Sequence, residues 1–493
     1  MSAPAIGYVS PATGVRWIPV IGLEVHCQLK TRTKLFCGCE QAFGASPNSR
    51  TCPVCTGQPG ALPVLNEEAL ALAVRSALAL GAEVAHESRF DRKSYFYCDL
   101  PKGYQISQYE RPFCTGGGIR LPNGRFVRLT RIHMEEDAGK AIHDRGDRTL
   151  VDLNRAGVPL IESVTEADLQ GAEEAHAYLT ALKEILQYAG VSDCDMEKGS
   201  LRCDVNISVH PAGEAWRTKV EIKNLNSFRY VAEAIEHEIA RQVAAYESQD
   251  PRQFPVQETR LYDPARGVTR SMRSKESAHD YRYMPDPDLP LVRFDAAFVE
   301  RQRGLLCEPA AARRERYQRE FGLSAYDAGV LTAERAVADW FEAAVRAAGR
   351  PKEVSNWVQN ELLKLAGDPA RGCARFEDLP LRPSELGEVL ELLEQGRIQN
   401  AGARELVRAI VTRGKPVREL VRELGLEAVQ DAGQIEEWCR AALVGKEKVI
   451  ADVKAGKEQA LNALLGPVMK LSGGRAGAQA VKETLKRLIA ALP

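Results

Sequence analysis

No stretch of this 493-residue chain is apolar for long enough to cross a bilayer. The richest run, EEALALAVRSALALG at 67–81, opens on two glutamates and is broken by Arg75. The N-terminal MSAPAIGYVSPATGVRWIPV has neither the basic start nor the apolar core of a secretory leader, and its single arginine is too little for a transit peptide. A cytoplasmic location is the expectation, with no membrane partner. No GxxxxGK[ST] occurs, so a nucleotide would not be held by a P-loop, and GxSxG and HExxH are absent too. No glycine-flanked serine pair of the amidase kind is present, since the single Ser-Gly-Gly, at 472–474, sits in a basic helical tail. Net charge is −1, which by itself calls for no nucleic acid. The balance is uneven, because residues 406–493 hold 15 Lys+Arg against 10 Asp+Glu. That surplus hints at an anionic partner, but from charge alone a solvated helical surface is the better explanation.

What is present is an ordinary globular composition, 44% hydrophobic and 27% charged, in a chain longer than one core supports. About two to four domains are expected. Four of the twelve cysteines fall within twenty positions, FCGCEQAFGASPNSRTCPVC at 36–55. In a reducing compartment stable disulfides are rare. The close pairs Cys37/Cys39 and Cys52/Cys55, set on turns marked by Pro53 and Ser-Pro-Asn, suit a tetrahedral zinc site. With four thiolates no coordination position stays open, so such a zinc would hold the loop rather than react. Unrelated buried or redox thiols are the competing reading. The scattered cysteines read as small buried hydrophobes.

Residues 16–295 mix β-rich runs with three helices. VIGLEVHCQL (20–29), RFVRLTRIHM (125–134), TLVDLNRAGVPLIESV (149–164), LRCDVNISV (201–209) and RTKVEIKNL (217–225) alternate as strands do. Helices are expected after Asn66 to about Leu80, over about 168–189, and over about 227–248. This pattern predicts an α+β fold with a large, mainly antiparallel sheet. YRYMPDPDLPLV (281–292), with three prolines between 285 and 290, is expected to be extended and fixed, a boundary or a wall. From 296 on the pattern is helical: 296–321, 332–348, 351–366, 383–396, 402–413, then 434–454, 457–470 and 477–491. GKPVRELVRELGLE (414–427) reads as helix surface. The domains expected are 1–295, carrying the zinc loop 36–56, then 296–405 and 406–493.

Polar residues in strand contexts are costly unless paired or used. Glu24 and His26, two apart, share a strand face. Glu135, Glu136 and Asp137 follow an alternating strand, Glu162 ends an apolar run, and Asp204 and Asn206 share another face. If these faces converge they present hard oxygens and an imidazole, a set suited to Mg²⁺ with a phosphate-bearing substrate. Any one acid alone reads better as a solvated surface charge, with the case for a site resting on the four clusters together, and a satisfied core histidine is the competing reading of His133. DRKSYFYCDLPKGYQISQYE (91–110) mixes Arg92, Lys93 and Lys102 with four tyrosines and a phenylalanine, which can clamp phosphates or simply pack. RTKVEIKNLNSFRY (217–230) adds Lys219, Lys223 and Arg229.

Seven segments carry a resemblance to a known family: GLEVHCQL, FDRKSYFYCDLPKGYQISQYE, RIHMEEDAGK, VDLNRAGVPLIESVTE, MEKGSLRCDVNISV, EIKNLNSFRYV and YRYMPDPDLP. Together they resemble the GatB family, the B subunits of aspartyl/glutamyl-tRNA amidotransferases, densely over 20–295 and more loosely to the C-terminus. The resemblance implies a heterotrimeric enzyme with amidase (A) and small (C) subunits as partners. The amidase would free ammonia from glutamine, and the small one would wrap the other two. A chain of the GatB kind would use ATP to phosphorylate the side-chain carboxylate of mischarged Glu-tRNA(Gln) or Asp-tRNA(Asn), and ammonia would displace the phosphate. The missing serine pair fits this division. The non-discriminating aminoacyl-tRNA synthetase is a further implied partner. The fold implied is a glutamine-synthetase-like cradle (1–295), a helical domain (296–405) and a YqeY-like tRNA-binding tail (406–493). The implied magnesium and catalytic site falls on Glu24, His26, Glu136 and Glu162. Glu135, Asp204, Asn206, Lys93 and Lys102 stand beside it for ATP and metal. Glu136 would also help deprotonate ammonium. The zinc ligands Cys37, Cys39, Cys52 and Cys55 are a structural feature of some members.

The tail departs from the family pattern. Where a Gly-Lys-Ala-Asn-Pro-type segment is frequent, this chain reads MKLSGGRAGAQAVKETL (469–485). Lys470 and Arg475 keep the charge, Gly473 and Gly474 would let backbone approach a phosphate, and Gly477-Ala478 replaces Asn-Pro. Two other functions remain open on the residues alone: a non-catalytic tRNA-binding scaffold, and a carboxylate–amine ligase for a small molecule.

Overall fold

The computed structural model describes residues 7–274, 281–366, 375–429, 431–455 and 457–492. The first six residues of the expected cradle and Cys373 lie outside them. The chain divides into two compact units, Met1–Pro309 and Ala310–Pro493.

The first unit is organised on one long strand, Arg16–Gln28. Its alternation separates two faces. Ile21, Leu23, Val25 and Cys27 are buried, while Gly22, Glu24, His26 and Gln28 are half-buried on the other side. The strand pairs antiparallel with Pro159–Thr165 on one side and Leu201–Pro211 on the other. Beyond these lie Phe126–Glu136 and Val220–Leu225. The sheet continues through Glu258–Asp263, whose pairing with Val220–Leu225 is its one parallel join among the described strands, to the edge strand Val268–Ser274. The α+β expectation with a mainly antiparallel sheet therefore holds. Helices Glu67–Ala79, Ala172–Tyr188 and Phe228–Glu247 share one core with the apolar strand face, through residues such as Val74, Leu182 and Ile235. Polar side chains are thereby left to the opposite face, where His133, Glu135 and Glu162 are nonetheless buried.

Asn66 caps its helix as expected, accepting from the backbone N–H of Glu68 at 2.9 Å and of Ala69 at 3.3 Å. The second helix starts at Ala172 rather than 168. Asp168 is engaged by the Arg128 guanidinium at 2.7 and 3.0 Å, and Leu169 pairs with Ile21. The run expected as one strand over 149–164 is two, Arg148–Asp152 and Pro159–Thr165, because the chain reverses through Gly157 at φ +86°. The proline-rich segment is extended, Met284–Pro285 pairing with Asp91–Ser94 and Val292–Arg293 with Glu87–Ser88. The unit runs past 295 because helix Ala296–Arg303 packs Phe298 and Val299 against the same core.

The second unit is helical. Four expectations change in detail. The 296–321 helix is cut before Ala310, where Pro309 disfavours helix in its predecessor. The 434–454 helix is interrupted at Gly445, φ +70°. Val417–Glu423 buries Val417, Leu420 and Val421, so it is core rather than surface. A division at 405 would cut helix Asn400–Arg413. One core extends from Tyr317 to Leu426, and a second, smaller one begins at Ile435.

Candidate active site and metal centres

Strand register decides the site. Glu162 pairs with His26 on one side and with His133 on the other, so the three project from the same face, where His26 is half-buried and the other two are buried. Glu135, two residues beyond His133, joins them. The His26 Nε2 lies 3.5 Å from a carboxylate oxygen of Glu135 and 3.5 Å from one of Glu162. His133 Nε2 lies 3.2 Å from Glu162 and 3.7 Å from Glu135. One donor atom from each of His26, Glu135 and Glu162 falls within a sphere of mutual distances below 4.8 Å. Two carboxylates and an imidazole fit a divalent cation that keeps further positions for water or phosphate oxygens.

Electrostatics here are tightly coupled. Burial works against charge on His133, yet Glu162 and Glu135 beside it push its imidazole up to about 9. Burial likewise works to raise the two carboxyls, but His133 holds both below the ordinary carboxylate range. Burial also lowers Lys93, but Glu135 leads the groups that raise it overall. Its ammonium sits 4.9 Å from the Tyr281 ring centroid, and no described carboxylate lies within 4 Å of it.

Glu24 stands on the same face, two residues from His26, but outside the three-residue cluster. It accepts from Asn206 Nδ2 at 2.8 Å, and burial and the charge of Glu162 raise its carboxyl. Asp204 faces Lys223 Nζ at 2.6 Å, and Glu221 faces the same nitrogen at 3.1 Å. A second polar row therefore lies beside the first, tied by a lysine from a separate segment of the sequence. An open cleft of about 870 Å³ begins where this face meets Gln28 and Arg202, and Lys30, Lys140, Arg155 and Lys198 also line it.

Glu136 departs from the expected cation set, and the expectation is corrected. Met134 and Glu136 point to the opposite side from His133 and Glu135. The Glu136 carboxylate is ion-paired with Lys102 and accepts from the Ile106 N–H at 2.9 Å. Glu136 and Lys102 line a cavity of about 100 Å³ together with Cys37, Cys55 and Gly157. Lys102 is thus a partner of Glu136 and lies away from the His26 cluster. Parity counted from His133 is the signal in the sequence that separates the two glutamates.

The four cysteines do meet, their sulfurs all within 4.8 Å of one another and Cys52 Sγ 3.9 Å from Cys55 Sγ. Sulfurs about 2.3 Å from one tetrahedral ion lie roughly 3.8 Å apart, so the set fits such an ion. Hydrogen bonding from Cys37 leads the groups that pull the Cys55 thiol down to about 4, while the coupled Cys37 thiol is pushed far up. The loop is pinned by Asn48, in the left-handed region at φ +58°, whose backbone N–H donates to Asp152 and whose side chain donates to the Val151 carbonyl, both at 3.0 Å.

In the tail, Gly473 and Gly474 have positive φ and close helix Asn462–Leu471, their N–H groups donating to Lys470 and Met469 carbonyls at 3.2 and 2.8 Å. Helix termination accounts for both glycines. Lys470 is exposed, and half-buried Arg475 donates to the Ser472 carbonyl at 3.1 Å.

Comparison with known proteins places the chain. A model described as the GatB/GatE catalytic domain matches residues 19–300, and a GatB domain model matches 339–489. The chain belongs to the GatB family. It is 51% identical to the B subunit of the aspartyl/glutamyl-tRNA(Asn/Gln) amidotransferase from Anaeromyxobacter dehalogenans, over 95% of this chain and 98% of that one. Its identity to the proteins of the same description from Carboxydothermus hydrogenoformans and Geotalea daltonii is 47% and 48%, over 96% and 94% of this chain and 99% and 98% of theirs. The GatB catalytic match spans both the His26 cluster and the cysteine loop. No helix among the described residues is long and apolar enough to cross a membrane.

Proposed function

We propose that this chain is the ATP-dependent amidating subunit of a tRNA-dependent amidotransferase. It would activate the side-chain carboxylate of Glu-tRNA(Gln) or Asp-tRNA(Asn) as an acyl phosphate, which ammonia then converts to the amide. The observation that carries the reading is the convergence of His26, Glu135 and Glu162 on one sheet face, with Lys93 close enough to feel both carboxylates and an adjoining cleft lined in part by Lys30, Lys140, Arg155, Lys198 and Arg202. Mg²⁺ held there would neutralise phosphate charge. Lys93 would meet a phosphate oxygen. Glu24, Asp204 and Asn206 border the same face and would orient the nucleotide. Glu136, on the other face, would take a proton from ammonium, with Lys102 holding its carboxylate in place.

Zinc at Cys37, Cys39, Cys52 and Cys55 has a structural role in this reading. An amidase partner supplies ammonia, and a small third chain completes the heterotrimer in the cytoplasm. The first unit serves as the cradle, and the helical region and tail, with Lys470 and Arg475, meet the tRNA backbone. The test is single-turnover amidation by the purified heterotrimer with ATP, Mg²⁺ and ammonium chloride in place of glutamine, on each tRNA in turn. Amide and ADP from wild type, but not from Glu162→Gln that still binds tRNA, support the reading. Full turnover by that variant points to a non-catalytic scaffold.

A further inference from the structure

Beside the four cysteines lies a lysine that composition and spacing did not single out. Lys34, three residues before the first of them, exposes none of its surface. Its ammonium lies 3.5 Å from Cys55 Sγ and donates to the Leu153 carbonyl at 3.3 Å. Its own backbone N–H donates to the Cys39 carbonyl at 3.0 Å, so its backbone is fixed to the loop it serves. The opposite wall is the chain reversal at Gly157, where an added Cβ would stand 3.4 Å from Cys55 Cβ and 3.5 Å from Lys34 Cδ.

A donor-only ammonium withdrawn from water is costly unless an anion stands beside it. One carbonyl does not meet that need. Four thiolates around a divalent ion do, because the assembled centre keeps about two negative charges on its sulfurs. The centre in turn is a buried anion that needs a cation or several N–H donors to be stable. The Cys52 N–H, 3.2 Å from Cys55 Sγ, is one such donor.

We propose that Lys34 is the counter-cation of the four-cysteine site, offsetting half of the charge of a bound tetrathiolate and strengthening metal binding by doing so. The inference rests on reading these cysteines as metal ligands. It makes Lys34 a positioning residue with an electrostatic task, linking the metal loop through Leu153 to the 153–157 turn that backs the Glu136 cavity.

The test uses the full-length chain. Zinc content is measured first by mass spectrometry. Wild-type protein without zinc sinks the metal reading itself, before Lys34 is considered. Zinc affinity is then measured by competition with a chromophoric chelator for wild type, Lys34→Met, Cys39→His and the double variant. Lys34→Met is expected to weaken binding about 10–100-fold, as loss of an outer-sphere partner does. Replacing one thiolate by neutral imidazole removes one negative charge from the centre. In the Cys39→His background, therefore, the loss caused by Lys34→Met should shrink at least severalfold. A role in packing alone predicts the same factor in both backgrounds, and that result, or wild-type affinity in Lys34→Met, overturns the proposal. If Lys34→Met does not fold, Lys34→Gln, which keeps a donor for Leu153, is read by the same cycle.

Discussion

Strand parity makes a sharp forecast about two adjacent glutamates. Glu135→Gln and Glu136→Gln remove the same charge one residue apart, yet the side chains lie on opposite faces of the sheet. Glu135 stands 3.5 Å from His26 Nε2 and within the three-residue cation cluster. At about 4 Å and an effective dielectric of about 20, one unit charge contributes about 4 kcal/mol, and a divalent ion doubles that. Glutamine keeps an oxygen ligand, and its neutrality relieves repulsion with Glu162, which together offset about half. A net loss of roughly 3–4 kcal/mol remains, a two- to three-decade fall in affinity. Glu136, held by Lys102 behind the sheet, should leave affinity within about threefold. Mn²⁺ titration of the intact complex, followed by the paramagnetic signal of the free ion, measures both. If Glu136→Gln abolishes binding while Glu135→Gln spares it, the facing derived from the register is wrong.

The Lys102–Glu136 pair is buried, its side chains 10% and 4% exposed. Lys102→Met should cost about 3–5 kcal/mol by leaving the carboxylate unpaired, and adding Glu136→Gln should restore most of it, as a denaturant double-mutant cycle would read. Stripping the metal from the cysteine loop with a chelator should make 36–56 sensitive to protease before the rest of the chain unfolds, and equal protection with and without metal would contradict a structural role. Glu238 is buried, and although burial works to raise its carboxyl, the Arg241 guanidinium leads the groups that hold it below the ordinary value of 4.5. A depressed carboxyl stabilises fully above its unfolded value and loses that contribution as pH falls through the folded one. The stability of Glu238→Gln should therefore vary less between about pH 5 and 3 than that of wild type, followed by urea midpoints.

Much of this architecture could be read from residue order. Period-two alternation in VIGLEVHCQ, Asn66 before its helix and the paired cysteines each act through neighbours a few residues away, so their consequences are local. The convergence of His26 with Glu162 was legible only as a condition, since each strand shows its own polar face but no strand names its partner. Glu136 was expected in the cation site and lies outside the observed cluster; parity separates it from Glu135, yet three consecutive acids look like one cluster until the backbone alternates them.

What the sequence by itself determined is the inventory: which segments are strands or helices, four thiols spaced for one ion, and a family membership written in seven motifs. Tertiary structure decided which of those residues meet. Register across three strands chose Glu135 over Glu136, burial turned Lys34 from an ordinary surface residue type into a cation beside thiols, and helix closure claimed Gly473 and Gly474. The physical reason is that propensity, capping and spacing act over a few residues of chain. Charge pairing and ligand geometry act over a few ångströms of space, and only the folded sheet converts one into the other.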